Sequence, residues 1–268
     1  MSYKKGSRAS KQRFSGNHQK SWLWGRHAIL ETIKAGRWPI LEIFITEECE
    51  SGDLELMALI GSRELEYEVV VASRIEQLAN TNQHQGIAAR MGVFEYGSGS
   101  DLESIVKNQK QSRPSLFVIC DQVQDAFNFG AILRCCDGAG VQAVVIGNHR
   151  QSGVTPHVAR ASAGAVNHVP IIRSANLADT VRWLKTQQIQ FAAANEKADL
   201  PVWSGDLSKP LGLIVGSEAY GVSEELLGLC QQKIRIPMQG QVNSLNVAVA
   251  TGIILYEINR QRASALDA

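Results

Sequence analysis

The chain has 268 residues, 44% hydrophobic and 20% charged, enough apolar content to bury a substantial core in one large domain or two modest ones. No run approaches the eighteen or so consecutive apolar residues of a membrane span, and no apolar stretch follows the basic N-terminus as in a signal peptide, so a soluble, cytoplasmic protein is expected. The formal net charge of +1 hides an asymmetry: Lys4, Lys5, Arg8, Lys11, Arg13 and Lys20 stand in the first twenty residues without one acid, leaving 21 of the 27 basic residues against 26 acidic ones beyond them. Residues 1–20 therefore read as a disordered basic arm suited to a polyanion such as RNA, while any further RNA contact must come from a local basic patch on an acidic body.

Along residues 21–95 short helices and strands alternate. GRHAILETIKAG is predicted as a helix closed by Gly36, ILEIFIT as a strand, LELMALIGSREL as a helix and YEVVV as a strand. SRIEQLAN follows as a helix with a Ser73/Glu76 capping box, and GIAARMGVF as the closing strand. The Gly/Ser-rich stretch from Glu95 to Asp101 has the composition of a flexible linker, with its core at 96–100.

From residue 101 to 268 the alternation resumes, with SLFVICD, QAVVIG, IQFAAA and LGLIVG as strands. GAILRCCDGAG, VARASAGA and LADTVRWLKTQ are helices, the last with Asn176 as its N-cap. This order implies an α/β fold with a mostly parallel sheet covered by helices, whose ligands bind beyond the carboxyl ends of the strands. Gly138-Ala139-Gly140-Val141-Gln142-Ala143 matches the dinucleotide fingerprint by letter, but it ends a helix and enters a strand, so it is expected to be a C-cap turn. Cys49, Cys120, Cys135, Cys136 and Cys230 form an odd set without C-x-x-C or zinc spacing; reduced, mostly buried thiols and no metal are expected.

Three segments carry polar residues where a core or a plain surface would not. In Asp121 to Arg134 a strand leads into a helix expected to begin at Gly130, with Asn128 and Arg134 six residues apart, either facing one site or merely capping and solvated. In Leu211 to Leu226 a buried strand stops at Gly216, a glycine that lets a ligand approach backbone, and Ser217 and Glu218 follow at its carboxyl end. In Ile234 to Glu257 a strand and a loop lead into a long apolar helix opened by Asn243 or Ser244. Asn243, Ser244 and Asn246 there gather more hydrogen-bonding groups than capping needs.

Together these segments resemble the SpoU or TrmH-type 2′-O-ribose methyltransferases of the SPOUT superfamily. The first motif is Asn128-Phe129-Gly130-Ala131-Ile132-Leu133-Arg134 and the second is Gly216-Ser217-Glu218 through Gly221. The third is Ile236-Pro237-Met238 with Ser244-Leu245-Asn246-Val247. Ala126 stands where the family often has proline, and Ala248 where it often has serine. The N-terminal unit resembles the family's substrate-binding domain through Gly25-Arg26-His27-Ala28-Ile29 and His84-Gln85-Gly86-Ile87-Ala88.

The resemblance implies a trefoil-knotted C-terminal domain that binds S-adenosylmethionine, with Gly216, Ile236 and Leu245 lining the cofactor pocket. It implies Arg134 as the principal catalytic residue, with Asn128, Glu218, Ser244 and Asn246 orienting ribose and cofactor. A guanidinium is hardly ever deprotonated, so Arg134 is expected to clamp a phosphate rather than accept a proton. The two-domain form most resembles enzymes that methylate a guanosine of large-subunit (23S) ribosomal RNA, and the family habit implies a homodimer. A transfer-RNA methyltransferase and a non-catalytic RNA-binding protein are the alternatives.

Overall fold

The computed structural model describes residues 21–108 and 113–266; the basic arm, residues 1–20, lies outside them. The N-terminal unit runs β1 (Trp22–Trp24), α1 (Arg26–Ala35), β2 (Ile40–Ile45), α2 (Glu47–Gly52), α3 (Leu54–Ser62), β3 (Glu68–Val69), α4 (Ala72–Ala79) and β4 (Ile87–Met91). Its sheet has the order β1-β4-β2-β3, antiparallel except between β2 and β3. Gly36 closes α1 in the left-handed conformation, its N–H donating to Thr32 O, as the sequence predicts. The capping box expected at Ser73 and Glu76 is not formed: α4 starts at Ala72 with Val71 in the cap position, which puts Ser73 inside the helix.

Beyond it come α5 (Gly99–Lys107), β5 (Leu116–Asp121), α6 (Ala126–Ala139), β6 (Ala143–Gly147), α7 (Pro156–Ala161), β7 (Ile171–Ser174), α8 (Leu177–Thr186), β8 (Gln190–Ala194), β9 (Leu200–Pro201), β10 (Leu211–Gly216), α9 (Glu224–Leu229), β11 (Gln232–Arg235) and α10 (Val247–Leu266). The sheet order is β7-β6-β5-β10-β8-β11-β9, with every neighbouring pair parallel. β5 and β10 are buried throughout, as expected of strands covered on both faces. From β5 the chain steps outward to β6 and β7, whereas β8, β11 and β9 lie on the other side of β10. The order therefore reverses between β5 and β10, where Asp121 and Gly216 stand side by side at the carboxyl ends.

Two expectations change here. The Gly/Ser stretch does not behave as a free linker: the N–H of Gly97 donates to Ile171 O and its carbonyl accepts from Arg173 N, which lays the chain along β7. Asp101 then reaches back to accept from the backbone N–H (2.7 Å) and hydroxyl (2.6 Å) of Ser98, starting α5 inside the expected linker. The first-motif helix also begins four residues before Gly130. Asp125 caps it, its carboxylate accepting from Asn128 N at 2.7 Å, so Asn128 lies within the first turn rather than capping it. Ala126 occupies the first helical position, where proline fits equally well, so that departure from the family pattern costs little.

The two units share one apolar core, in which Leu23, Ile29 and Ile33 join Phe129, Val158 and Val166. The seam is also hydrogen-bonded. Buried Asn167 donates through Nδ2 to Thr32 Oγ1 at 3.2 Å, and its carbonyl accepts from Arg37 at 3.3 Å.

Candidate functional site

A cleft of about 580 Å³ opens at the reversal of strand order. It lies between the turn after β10, the chain after β8 and the stretch joining β11 to α10. Its walls combine apolar side chains such as Ile234, Ile236, Met238 and Leu245 with the polar Asn195 and Glu196. This size and mixture suit a small molecule with both apolar and polar parts.

Gly216 lines the cleft, and its glycine has a more specific cause than ligand approach. Ser217 and Gly221 exchange backbone hydrogen bonds of 3.1 and 2.9 Å, and the Ser217 hydroxyl accepts from Tyr220 N, forming a tight turn that passes the left-handed Gly221. That turn doubles back so closely that a Cβ on Gly216 would sit 2.1 Å from the Gly221 carbonyl carbon and 2.2 Å from Val222 N. Any side chain there would displace backbone. Asp121, buried beside Gly216, accepts from Ser223 N at 2.8 Å and ties the far end of the loop to β5.

At the mouth of the cleft three side chains from three segments form a relay. Asn246 donates through Nδ2 to Asn128 Oδ1 at 2.8 Å, and Asn128 donates through Nδ2 to Glu218 Oε1 at 2.5 Å. Asn246 is itself fixed, because its Oδ1 accepts from Ala248 N and Val249 N at 2.9 and 3.3 Å. The cap of α10 is thus Asn246, not Asn243 or Ser244, and those two line the cleft instead. Ala248, with only its backbone used, is buried under this cap.

The site residues expected from sequence therefore fall into three groups. Asn128, Glu218 and Asn246 are joined by hydrogen bonds; Gly216, Ile236, Ser244 and Leu245 line the cleft; and Arg134 does neither. Arg134 is exposed on α6, and six residues of helix put it about 9 Å along and roughly 120° around from Asn128. It shares its face with Phe127, seven residues earlier and only about 20° off. Asp121, Asn195 and Glu196 escape the sequence reading, although all three are polar residues at the end of an apolar strand.

The thiols of Cys120 on β5 and Cys136 on α6 are buried. Burial pushes Cys120 up to about 12 and Cys136 well above the ordinary thiol range, and all five cysteines are unpaired. Among the described residues no His, Cys, Asp and Glu cluster could hold a metal. No helix there is long and apolar enough to cross a membrane.

In the N-terminal unit the two sequence motifs meet. Arg26 N donates to Gln85 Oε1 at 2.9 Å, and His84 is buried with Nδ1 accepting from Gly86 N at 3.1 Å. The Arg26 guanidinium is bound by Asp53 and Glu55, so it braces the unit instead of projecting a free charge. His84 is likewise a turn residue.

Residues 115–256 match the SpoU rRNA Methylase family, and residues 22–96 match the RNA 2′-O ribose methyltransferase substrate binding domain. A Staphylococcus epidermidis protein named for the TrmH family of tRNA/rRNA methyltransferases is 38% identical over 241 residues, 89% of this chain and 94% of that protein. Among solved structures, the SpoU methyltransferase AviRb from Streptomyces viridochromogenes in complex with AdoMet superposes with a TM-score of 0.75 at 23% identity, covering 92% of each chain. An RNA 2′-O ribose methyltransferase superposes with a TM-score of 0.70 at 26% identity, covering 92% of this chain and 90% of its own. With the relay and cleft carried by the three motif segments, the chain belongs to the SpoU rRNA methylase family of RNA methyltransferases, its substrate-binding unit preceding the methylase unit.

Proposed function

We propose that this chain methylates the ribose 2′-hydroxyl of a guanosine in large-subunit (23S) ribosomal RNA, using S-adenosylmethionine held in the cleft after β10. The observation that carries this reading is the Asn246–Asn128–Glu218 relay, which joins three motif segments at the mouth of one cleft. S-adenosylmethionine, when bound, supplies an electrophilic methyl group on a sulfonium. The cleft suits it: Ile236, Met238 and Leu245 offer apolar cover for a base, and Asn195, Glu196 and the Gly216–Gly221 turn offer polar groups for the remainder.

The residues of this chain then have a positioning task. An in-line displacement gains most from holding nucleophile and carbon in line, worth up to about 7–11 kcal/mol when alignment is complete. Asn128 holds Glu218 by one oxygen, and Oε2 is the atom able to accept the proton that the ribose hydroxyl sheds. Ser244 offers a hydroxyl beside the ribose. Arg134, exposed on α6 and turned about 120° from Asn128, would take a neighbouring RNA phosphate with its planar fork rather than touch the reacting oxygen.

The reading includes a trefoil knot, supported by the crowding of the Gly216–Val222 turn and by the stretch from Ile236 to Asn246 sharing its cleft. It also includes a homodimer. Val249, Ile253 and Tyr256 form an exposed apolar stripe along α10, and light scattering should give the mass of two chains at micromolar concentration.

The test of the reaction is to incubate the protein with labelled S-adenosylmethionine and separated cellular RNAs, then map the label. Label on a 23S guanosine ribose, recovered as an alkali-resistant dinucleotide, is expected. Label confined to transfer RNA would favour the transfer-RNA alternative. Absence of label from every RNA, with the cofactor bound, would make the protein a non-catalytic binder.

A further inference from the structure

Between the relay and the N-terminal unit lies a row of aromatic and cationic side chains that neither the cleft nor the relay uses. Trp24 of β1 is buried at the seam between the two units. The Arg160 guanidinium stands 4.3 Å above its ring, and the His157 imidazole meets it edge-on at 5.4 Å and 88°. On the other side of His157, 6.4 Å away, is the ring of Phe127, 65% exposed on the first turn of α6 and adjacent in sequence to Asn128. The row thus starts at the relay and ends one residue before the Gly25-Arg26-His27 motif.

The first-motif glycine holds this row together. A Cβ on Gly130 would lie 2.5 Å from Ala161 Cβ and 2.8 Å from Val158 O. Only glycine lets α7 rest directly on the backbone of α6, and that contact sets His157 beside Phe127 and, one helical turn on, Arg160 over Trp24. Arg160 has no carboxylate partner among the described residues, and burial alone acts on it, drawing its pKa below the ordinary arginine range. Stacking uses the face of the guanidinium and leaves its N–H edge free to donate.

We infer that Phe127, His157 and Arg160 form a landing platform for the nucleotide flanking the methylated one, its base stacked on the Phe127–His157 pair and its phosphate held by Arg160. An exposed aromatic, Phe127, in one row with a guanidinium that has no carboxylate partner combines the stacking surface and the cation by which proteins hold single-stranded RNA. It is poor chemistry for a second copy of the chain: a two-fold contact centred here would bring Arg160 towards its own mate, whereas α10 offers an apolar stripe for that purpose. The inference rests on the chain acting on RNA.

The test uses the full chain and two fluorescein-labelled probes, a mixed-sequence 12-nucleotide single-stranded RNA and a ribose-phosphate 12-mer with abasic sites. Affinity is read by anisotropy from 50 to 200 mM KCl. Phe127→Ala should weaken the base-bearing probe by roughly 5- to 100-fold and leave the abasic probe unchanged, the range found for one stacked base. Arg160→Gln should weaken both probes and lower the slope of log K against log salt by about 0.7, the value for one phosphate contact on a single strand; Arg160→Lys should restore that slope. Thermal midpoint and solution mass of Phe127→Ala should match wild type. Equal binding of the base-bearing probe by wild type and Phe127→Ala, loss of dimer mass in that variant, or an unaltered slope in Arg160→Gln would overturn the platform. Because binding is read without methyl transfer, a failure of the methylation reading would appear only in the transfer assay.

Discussion

Asn128 is the middle of the relay, and Asn128→Asp changes its chemistry while nearly keeping its shape. The amide that donates to Glu218 Oε1 at 2.5 Å becomes a carboxylate facing a carboxylate. Two unit charges at that distance repel by about 1.7 kcal/mol at the dielectric of water, and by more wherever water is excluded. The hydrogen bond is lost as well, but between exposed groups water replaces most of it. Glu218 and Asn246 are exposed, so the side chains will swing apart rather than sustain that strain, and the fold should lose less than about 1 kcal/mol, or roughly 2–4 °C of melting temperature.

The rate should suffer far more, because displacing a reacting group by an ångström costs about 10²-fold. Protonation of either carboxylate removes the repulsion and lets a hydrogen-bonded bridge form again. The deficit should therefore be largest near pH 8 and shrink as pH falls, a trend that wild type lacks. Single-turnover transfer of labelled methyl to RNA between about pH 5.5 and 8.5, with melting curves at each pH, measures both effects. Asn128→Ala should be slow at every pH. Wild-type rates at pH 8 for Asn128→Asp, or a pH profile parallel to wild type, would refute the positioning role of the relay.

Gly130→Ala should destabilise the protein by about 1–3 kcal/mol through overpacking, less about 1 kcal/mol regained in helix propensity, and should weaken the single-stranded RNA probe as α7 is pushed away; unchanged melting and unchanged binding would contradict the close helix contact. The hydrogen bond from Arg26 holds the Asp53 carboxyl below the usual carboxylate range, so its contribution is complete above the unfolded value of about 3.9 and is lost as pH falls through the lower folded value. Urea titrations between about pH 2.5 and 5 should accordingly show a shallower acid loss of stability in Arg26→Ala than in wild type. At pH 8 a maleimide should leave Cys120 and Cys136 unmodified in native protein and label them on unfolding, since burial holds both thiols protonated; rapid native labelling of either would count against the packing of α6 on β5.

Signals that act within a turn or two of chain were legible before the structure. Gly36 and Gly140 close their helices in the left-handed conformation, and Asn176 caps α8 by accepting from Ala178 N and Asp179 N. The start of α6 was also local, with Asp125 three residues before Asn128, but the polar run hid it. Gly97 departs from the linker expectation for a different reason. Its composition marks a linker, yet its partners Ile171 and Arg173 lie more than seventy residues away, and only the folded sheet edge brings them. The relay joins residues 90 and 118 positions apart, so periodicity could not find it; the motif likeness named its members but not their order. Arg134 shows the converse. Its six-residue offset from Asn128 already excluded one helix face, provided that both were known to be helical.

The seam between the units bears on how an RNA is measured. Thr32 and Asn167 are buried on each other, His168 meets Glu31 at 3.2 Å, and a Cβ on Gly164 would strike the Glu31 side chain at 2.7 Å. A joint filled in this way behaves as a weld rather than a hinge, so the distance from Trp24 to the cleft is a property of the fold and not of the substrate. The enzyme would then act as a caliper with fixed jaws, accepting RNAs whose folded shape already presents the target ribose at the set span. Exchanging N-terminal units between relatives would preserve that span only if residues 156–168, the other half of the weld, travelled with them.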